Sequence, residues 1–233
     1  MIGLGCQTIE PVSQKQKEVS LSAREPFAEI LATDLSFDIE KGTVGYTLPE
    51  PAWVRLRIGI QNGGALLRTL MDWEFRNKGK YVEKWDWKNS SGQVNFGARD
   101  DLMVILSCRA TGGNKSKHPP ENVRVFRHSP VFTVSFPESL GETEKGVSMV
   151  KGITPMRVVL DENDKRWLTE TRFEMAIYLD TIFLAEEEEG VNPYTYQLNT
   201  RGFSDGEHAL TINVIGYEGQ VGTMSQLIHV KNQ

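Results

Sequence analysis

Ala52–Trp73 reads AWVRLRIGIQNGGALLRTLMDW. Its first nine residues alternate strictly. Val54, Leu56, Ile58 and Ile60 fall on one face of a strand, and Trp53, Arg55 and Arg57 on the other. QNGG, Gln61–Gly64, follows at once, and Asn-Gly between apolar runs is a strong signal for a hairpin turn. ALLRTLMDW then returns as the partner strand. This stretch is a β-hairpin, and it sets the texture of most of the chain.

Outward from it the same grammar repeats. KGTVGYTLPEP precedes it as a strand closed by prolines. KGKYVEKWDW follows as another strand, KNSSGQ as a turn, and DLMVILSC as a further strand. Strand after strand at a spacing of about ten residues is the pattern of a β-sandwich or barrel. Pro26–Leu35 fits a short helix or a first strand equally well. Residues 111–122 form a loop with almost no apolar content, and VRVFRHSPVFTVSFP reads as one strand, or as two joined at Pro130, able to complete the first sheet.

ESLGETEKG, Glu138–Gly146, is polar with two glycines and is the expected linker. Beyond it MRVVL is a strand and DENDKRWLTET a charged loop. RFEMAIYLDTIFLAEEEEG reads as strand, tight turn near Asp180, and strand; NPYTYQLNT and the last 33 residues add more. The expected architecture is all-β: two tandem sandwiches over residues 25–137 and 147–233, a linker at 138–146, and an extended leader at 1–24.

The bulk numbers narrow the function. The chain has 233 residues, 39% of them hydrophobic, so it can form a core. Twenty-six basic and 31 acidic residues give a net charge of −5, without the basic footprint of a nucleic-acid binder. No apolar run approaches the ~20 residues that cross a bilayer as a helix. The two cysteines, Cys6 and Cys108, make neither a disulfide framework nor a zinc site. Cys108 alternates with Leu102, Val104 and Leu106 and is expected in the core.

Chemistry-bearing motifs are sparse. The four histidines, His118, His128, His208 and His229, lack metal-ligand spacing. No G-x-S-x-G elbow and no glycine-rich phosphate loop occurs. Asp161–Lys165, DENDK, has some of the acids of a calcium loop but not its glycine or distal glutamate. No carboxylate pair stands out for hydrolysis, so the expectation is a protein that is not an enzyme and needs no cofactor. Candidate interaction residues are Trp53, Trp73 and Trp87, able to stack on a partner or sugar ring if exposed, and the acidic run Glu186, Glu187, Glu188 and Glu189. Trp85 is expected to plug the core, with Asp86 and Asn89–Gly92 shaping the turn after it.

Three resemblances enter on these residues. Leu48, Pro49, Ala52, Val54, Leu56, Ile58, Gly64, Arg68, Leu70, Gly79, Trp85, Asp86 and Gly92 resemble the immunoglobulin-like module of the flagellar hook-capping protein FlgD, over about residues 28–110. That module usually carries glycine after Trp-Asp, where this chain has Trp87. Phe173, Tyr178, Asp180, Pro193, Tyr194, Tyr196, Thr200, Asp205, Gly206, His208, Leu210, Gly219, Gly222 and Ser225 resemble a second immunoglobulin-like type of bacterial surface and secreted proteins. That likeness makes His208 structural. MIGLGCQ resembles the end of a bacterial lipoprotein signal, which implies a lipid tether at Cys6, the other reading being a leader with a free thiol. Together they imply a non-catalytic accessory or scaffolding subunit in the bacterial periplasm or on the cell surface. It would dock on a protein partner in a membrane or envelope complex, with no nucleic acid involved. A glycan-binding module and a hook-cap-like assembly factor are the alternatives.

Overall fold

The computed structural model describes residues 7–8, 27–97, 99–113 and 116–233. It is all-β, and its contacts divide it into two compact units. Unit 1 comprises residues up to Gln61, Thr69–Trp87 and Gly97–His128. Unit 2 comprises Asn62–Arg68, Lys88–Phe96 and Ser129–Gln233.

β1 (Gln7–Thr8), β2 (Thr33–Asp38), β3 (Thr43–Leu48), β4 (Ala52–Ile60), β5 (Leu66–Arg76), β6 (Gly79–Lys84) and β7 (Leu102–Ala110) make two sheets, which belong to unit 1 except for Leu66–Arg68 at the start of β5. One has the order β2-β3-β6 and the other β1-β7-β4-β5. Pro26–Leu35 contains no helix among its described residues; β2 begins at Thr33. Alternation places the core as expected. Val44, Tyr46 and Leu48 from β3 are buried, as are Val54, Leu56 and Ile58 from β4 and Leu102, Val104, Leu106 and Cys108 from β7. A turn forms at the expected place: Asn62 (φ 60°) and Gly63 (φ 77°) both adopt the left-handed conformation, within a five-residue connection, 61–65, between β4 and β5.

The strand β4 departs from expectation in being buried at every position. Its second face lies under a short 3-10 turn at Arg124–Phe126. That turn forms where VRVF had suggested a strand. Phe126 is the anchor: it is buried against Trp53 and Trp73, so tertiary contact overrides the β-propensity of the segment.

In unit 2, β8 (Phe132–Ser135), β9 (Ser148–Val150), β10 (Ile153–Leu160), β11 (Phe173–Leu179), β12 (Ile182–Glu187), β13 (Tyr194–Asn199), β14 (Gly206–Gly216) and β15 (Val221–Val230) form sheets of order β13-β10-β8 and β12-β11-β14-β15-β9. Both sheets feed one core. Phe132, Met156, Val158, Leu160 and Leu198 from the smaller meet Met175, Ile177, Leu179, Leu210, Ile212, Val214, Ile228 and Val230 from the larger. The strand β8 pairs with β10 and so belongs to unit 2, not to the first sheet.

Two further expectations change. Glu138–Gly146 is not a tether between units but folds back on β9, with Leu140 N–H donating to Met149 O and Thr143 N–H to Val147 O (2.8 and 2.9 Å). The contact boundary lies instead between His128 and Ser129. DENDKRWLTET is not a loop but the helix α1 (Glu162–Thr171). Asp161 caps it, its carboxylate accepting from Asn163 N–H at 2.9 Å. Leu168 supplies a fully buried anchor and Trp167 packs partly buried against the same core, but two adjacent apolar residues among polar ones give no helical period to read.

Candidate interaction surface

Trp53 and Trp73 lie inside unit 1, with 0% and 6% of their surface exposed. Phe126 packs edge-on against both, with ring centroids at 4.9 and 5.3 Å, and Phe27 adds a ring 5.8 Å from Trp53. The Arg55 guanidinium sits 4.5 Å above the Trp73 ring. Its Nε donates to Asp72 Oδ1 at 2.7 Å and its Nη2 to the Arg127 carbonyl at 2.6 Å. The expectation that these indoles offer a surface platform is therefore corrected. The face of β4 opposite the core is sealed by aromatic rings and a paired arginine. Val123, Val125, Phe126 and Phe27 were the legible signal, since apolar residues on both flanks of a loop need a place to be buried.

Trp87 is half-buried. Its Nε1–H donates to the Ile39 carbonyl at 2.9 Å, and its backbone sits at φ 61°, in the left-handed region. Trp85 before it is 4% exposed, as expected for a core plug. Asn89 then organises the corner. Its Oδ1 accepts from Val94 N–H and its Nδ2 donates to Ser91 Oγ, at 3.0 and 2.8 Å.

The acidic run lies at a sheet edge. Glu186 and Glu187 close β12, the terminal strand of the larger sheet of unit 2, and Glu188 and Glu189 follow it. Glu186, Glu188 and Glu189 are exposed. Burial, and then the charge on Glu186, hold the Tyr178 phenol above its ordinary value. The same strand begins with Ile182 and Phe183, which are 58% and 54% exposed. Phe183 leans edge-on against Tyr178 at 5.7 Å. Sequence reasoning named the acids and missed these two apolar neighbours. An apolar pair just after a tight turn at Asp180 cannot put both side chains inward, and that was the available signal.

The remaining sequence candidates carry structural work. His208 is 8% exposed, with Nδ1 at 2.5 Å from Asp180 Oδ2 and Nε2 at 2.8 Å from the Ser204 carbonyl. Burial opposes a charge on this ring. The carboxylate and the carbonyl outweigh it, and the imidazole is held above its ordinary value. In the DENDK segment, Asp164 is buried, accepting from Val131 N–H at 2.7 Å and from Trp167 Nε1–H at 3.0 Å. With Asp161 engaged in the helix cap, the segment is a helix start and not an ion loop. No group of three or more His, Cys, Asp or Glu able to hold a metal occurs among the described residues. Cys108 is 2% exposed, and burial, then the charge on Glu29, push its thiol up to about 12. Cys6 lies outside the described residues. No helix of the described residues is long and apolar enough to cross a membrane.

No family model matches the chain, and no curated protein matches it. Among solved structures, it is similar to an endo-β-1,4-mannanase from Thermotoga petrophila at 17% identity and a TM-score of 0.32, over 48% of this chain and 21% of that one. It is similar to the fibronectin(III)-like modules of Clostridium thermocellum CbhA at 10% identity and a TM-score of 0.31, over 82% of this chain and 87% of that one. The extracellular domain of a putative hybrid two component system from B. thetaiotaomicron matches at 13% identity and a TM-score of 0.29, over 85% of this chain and 26% of that one. The chain thus spans about a fifth of the mannanase and about a quarter of that extracellular domain. Likenesses this distant carry no argument about activity or partners, and the all-β sandwich rests on the sheets and cores described above.

Proposed function

We propose that the chain is a non-catalytic, exported accessory or scaffolding subunit that docks through its immunoglobulin-like sandwiches onto a protein in an envelope or membrane-bound complex. One observation carries the reading: β12, an edge strand, exposes Ile182 and Phe183 directly beside the acids Glu186, Glu188 and Glu189. An edge offers backbone donors and acceptors to a partner, the apolar pair offers area, and the acids select for a basic surface. Lipid attachment at Cys6 belongs to the same proposal, as does an extracytoplasmic location. The glycan reading loses Trp53 and Trp73 to the interior and keeps only Trp87, which is half-buried. Kinship with the FlgD-type module, and with it the assembly-factor alternative, is favoured by one detail. Trp87 adopts φ 61°, a conformation natural to the glycine that the module carries there.

The test is a mild-detergent pull-down of the untagged protein from its own membranes, with intact mass read on the bait. The wild type is expected to retain one stoichiometric partner and to carry a diacylglycerol-sized mass on its N-terminal peptide. Ile182→Lys with Phe183→Lys is expected to lose the partner and keep the mass. An unmodified monomer without a partner overturns the reading.

A further inference from the structure

The smaller sheet of unit 1 ends in β6, which pairs with β3 and has no strand on its other side among the described residues. The strand alternates. Tyr81 and Glu83 pair with Tyr46 and Val44, which are buried, whereas Lys80, Val82 and Lys84 pair with Thr47, Gly45 and Thr43 on the opposite face. Lys80 and Lys84 are exposed, as is Lys78 just before the strand, and Val82 is 68% exposed. None of the three lysines forms an ion pair among the described residues. A second β6 is a poor occupant of this edge. Antiparallel pairing about Val82 would set Lys80 against Lys84, and like charges directly opposite destabilise a pair of strands.

In unit 2, β12 is an edge of the opposite sign. Phe183 pairs with Tyr178 and Glu186 with Ala176, two positions apart on β11, and the register shift between them leaves Leu184 as the extra residue of a bulge. The bulge puts Phe183 and Glu186 on one face at the spacing of alternate strand residues, away from the core residues Met175, Ile177 and Leu179. Glu188 follows two residues on. All three are exposed, and neither carboxylate has an ion pair among the described residues.

We propose that the outer edge of β6 is a docking site for β12 of a second copy of this chain. Laid antiparallel with Phe183 opposite Val82, the bulged strand sets Glu186 opposite Lys80 and brings Glu188 to Lys78. One register thus joins an apolar pair and two pairs of opposite charge, and the unpaired backbone groups of the two edges meet between them. The contact uses different patches on the two copies, so it is heterologous and repeats head to tail. It rests on the docking reading of β12 given above and names a second copy as a protein on that edge. The last copy of a row keeps its β12 for the envelope partner.

The full chain is followed by analytical ultracentrifugation over a concentration series, at low and at high salt. The wild type is expected to self-associate, with an apparent Kd at least about tenfold weaker at high salt. Lys78→Glu with Lys80→Glu makes both edges acidic, and Glu186→Lys with Glu188→Lys makes both basic. Each double variant is expected to keep the wild-type unfolding temperature and to stay monomeric. An equimolar mixture of the two is expected to associate again, because reversed charges then face each other. A wild type that is monomeric throughout overturns the proposal, as does association indifferent to salt or to these variants, or a mixture that stays monomeric. The membrane pull-down separates this proposal from the reading beneath it. A monomeric wild type that still retains an envelope protein removes the second copy alone, and self-association with no envelope protein retained removes the envelope partner alone.

Discussion

Trp87 shows how one residue carries two opposed terms. A bulky side chain at φ 61° costs about 1 kcal/mol relative to glycine. In return its indole donates to the Ile39 carbonyl and shelters the turn at Gly42, whose φ is 60°. A Cβ added at Gly42 would lie 2.3 Å from the Trp85 carbonyl and 3.0 Å from the Trp87 ring, so the two positions are fitted to each other. Trp87→Ala loses the contacts and keeps the strain; Trp87→Gly loses the contacts and relieves it. Urea unfolding is expected to find both variants less stable than the wild type, with Trp87→Gly above Trp87→Ala by about 1 kcal/mol. A Gly variant no more stable than the Ala variant would mean that backbone strain is not a term here. The resemblance to a module with glycine at this place was legible in the sequence. The hydrogen bond to Ile39, 48 residues away, was not.

At the scale of elements, the β11–β12 hairpin is tied to β14 through a side-chain network. Asp180 and Thr181 form its turn with φ of 49° and 70°. Asp180 accepts from Ala209 N–H with Oδ1, at 2.9 Å, and holds His208 with Oδ2. Both ring nitrogens of His208 face acceptors, which favours the doubly protonated ring. Its folded pKa is raised, so its contribution to stability is fully present below the unfolded value of about 6.5. That contribution fades as pH rises through the folded value. His208→Gln is therefore expected to lower the thermal midpoint more at pH 5.5 than at pH 8.5. Equal losses at both would remove the charged form from the account. The turn at Asp180 was readable from LDT between apolar runs, whereas the helix α1 was not, because its stability comes from Leu168 and Asp164 fitting a site that other elements build.

For the molecule as a whole, the decisive contact joins residues 147 apart in sequence. Within unit 2, Asn213 Oδ1 accepts from Leu66 N–H and Asn213 Nδ2 donates to Leu66 O, both at 2.8 Å. Thr223 Oγ1 donates to the same carbonyl at 2.7 Å, and Asn89 Nδ2 donates to Ser225 O at 2.5 Å. Asn213→Ala is expected to leave the Leu66 amide buried without its acceptor, at a cost of about 1–3 kcal/mol in the unfolding of unit 2. Exchange at that amide is expected to rise, and an unchanged rate would show that Leu66 is held by other means. These bonds explain why Asn62–Arg68 and Lys88–Phe96 pack with unit 2 although they lie in the first half of the chain. The sequence by itself determined the all-β class, the hairpin at Asn62–Gly63, the core faces of β4 and β7 and the burial of Trp85 and Cys108. Each follows from local periodicity or turn chemistry acting over a few residues. Only the tertiary structure decided the burial of Trp53 and Trp73, the ownership of β8, the unit boundary and the exposed edge at Ile182 and Phe183. Burial of a strand's second face and pairing of its edge are set by segments far away in the chain, and alternation within a strand says nothing about them.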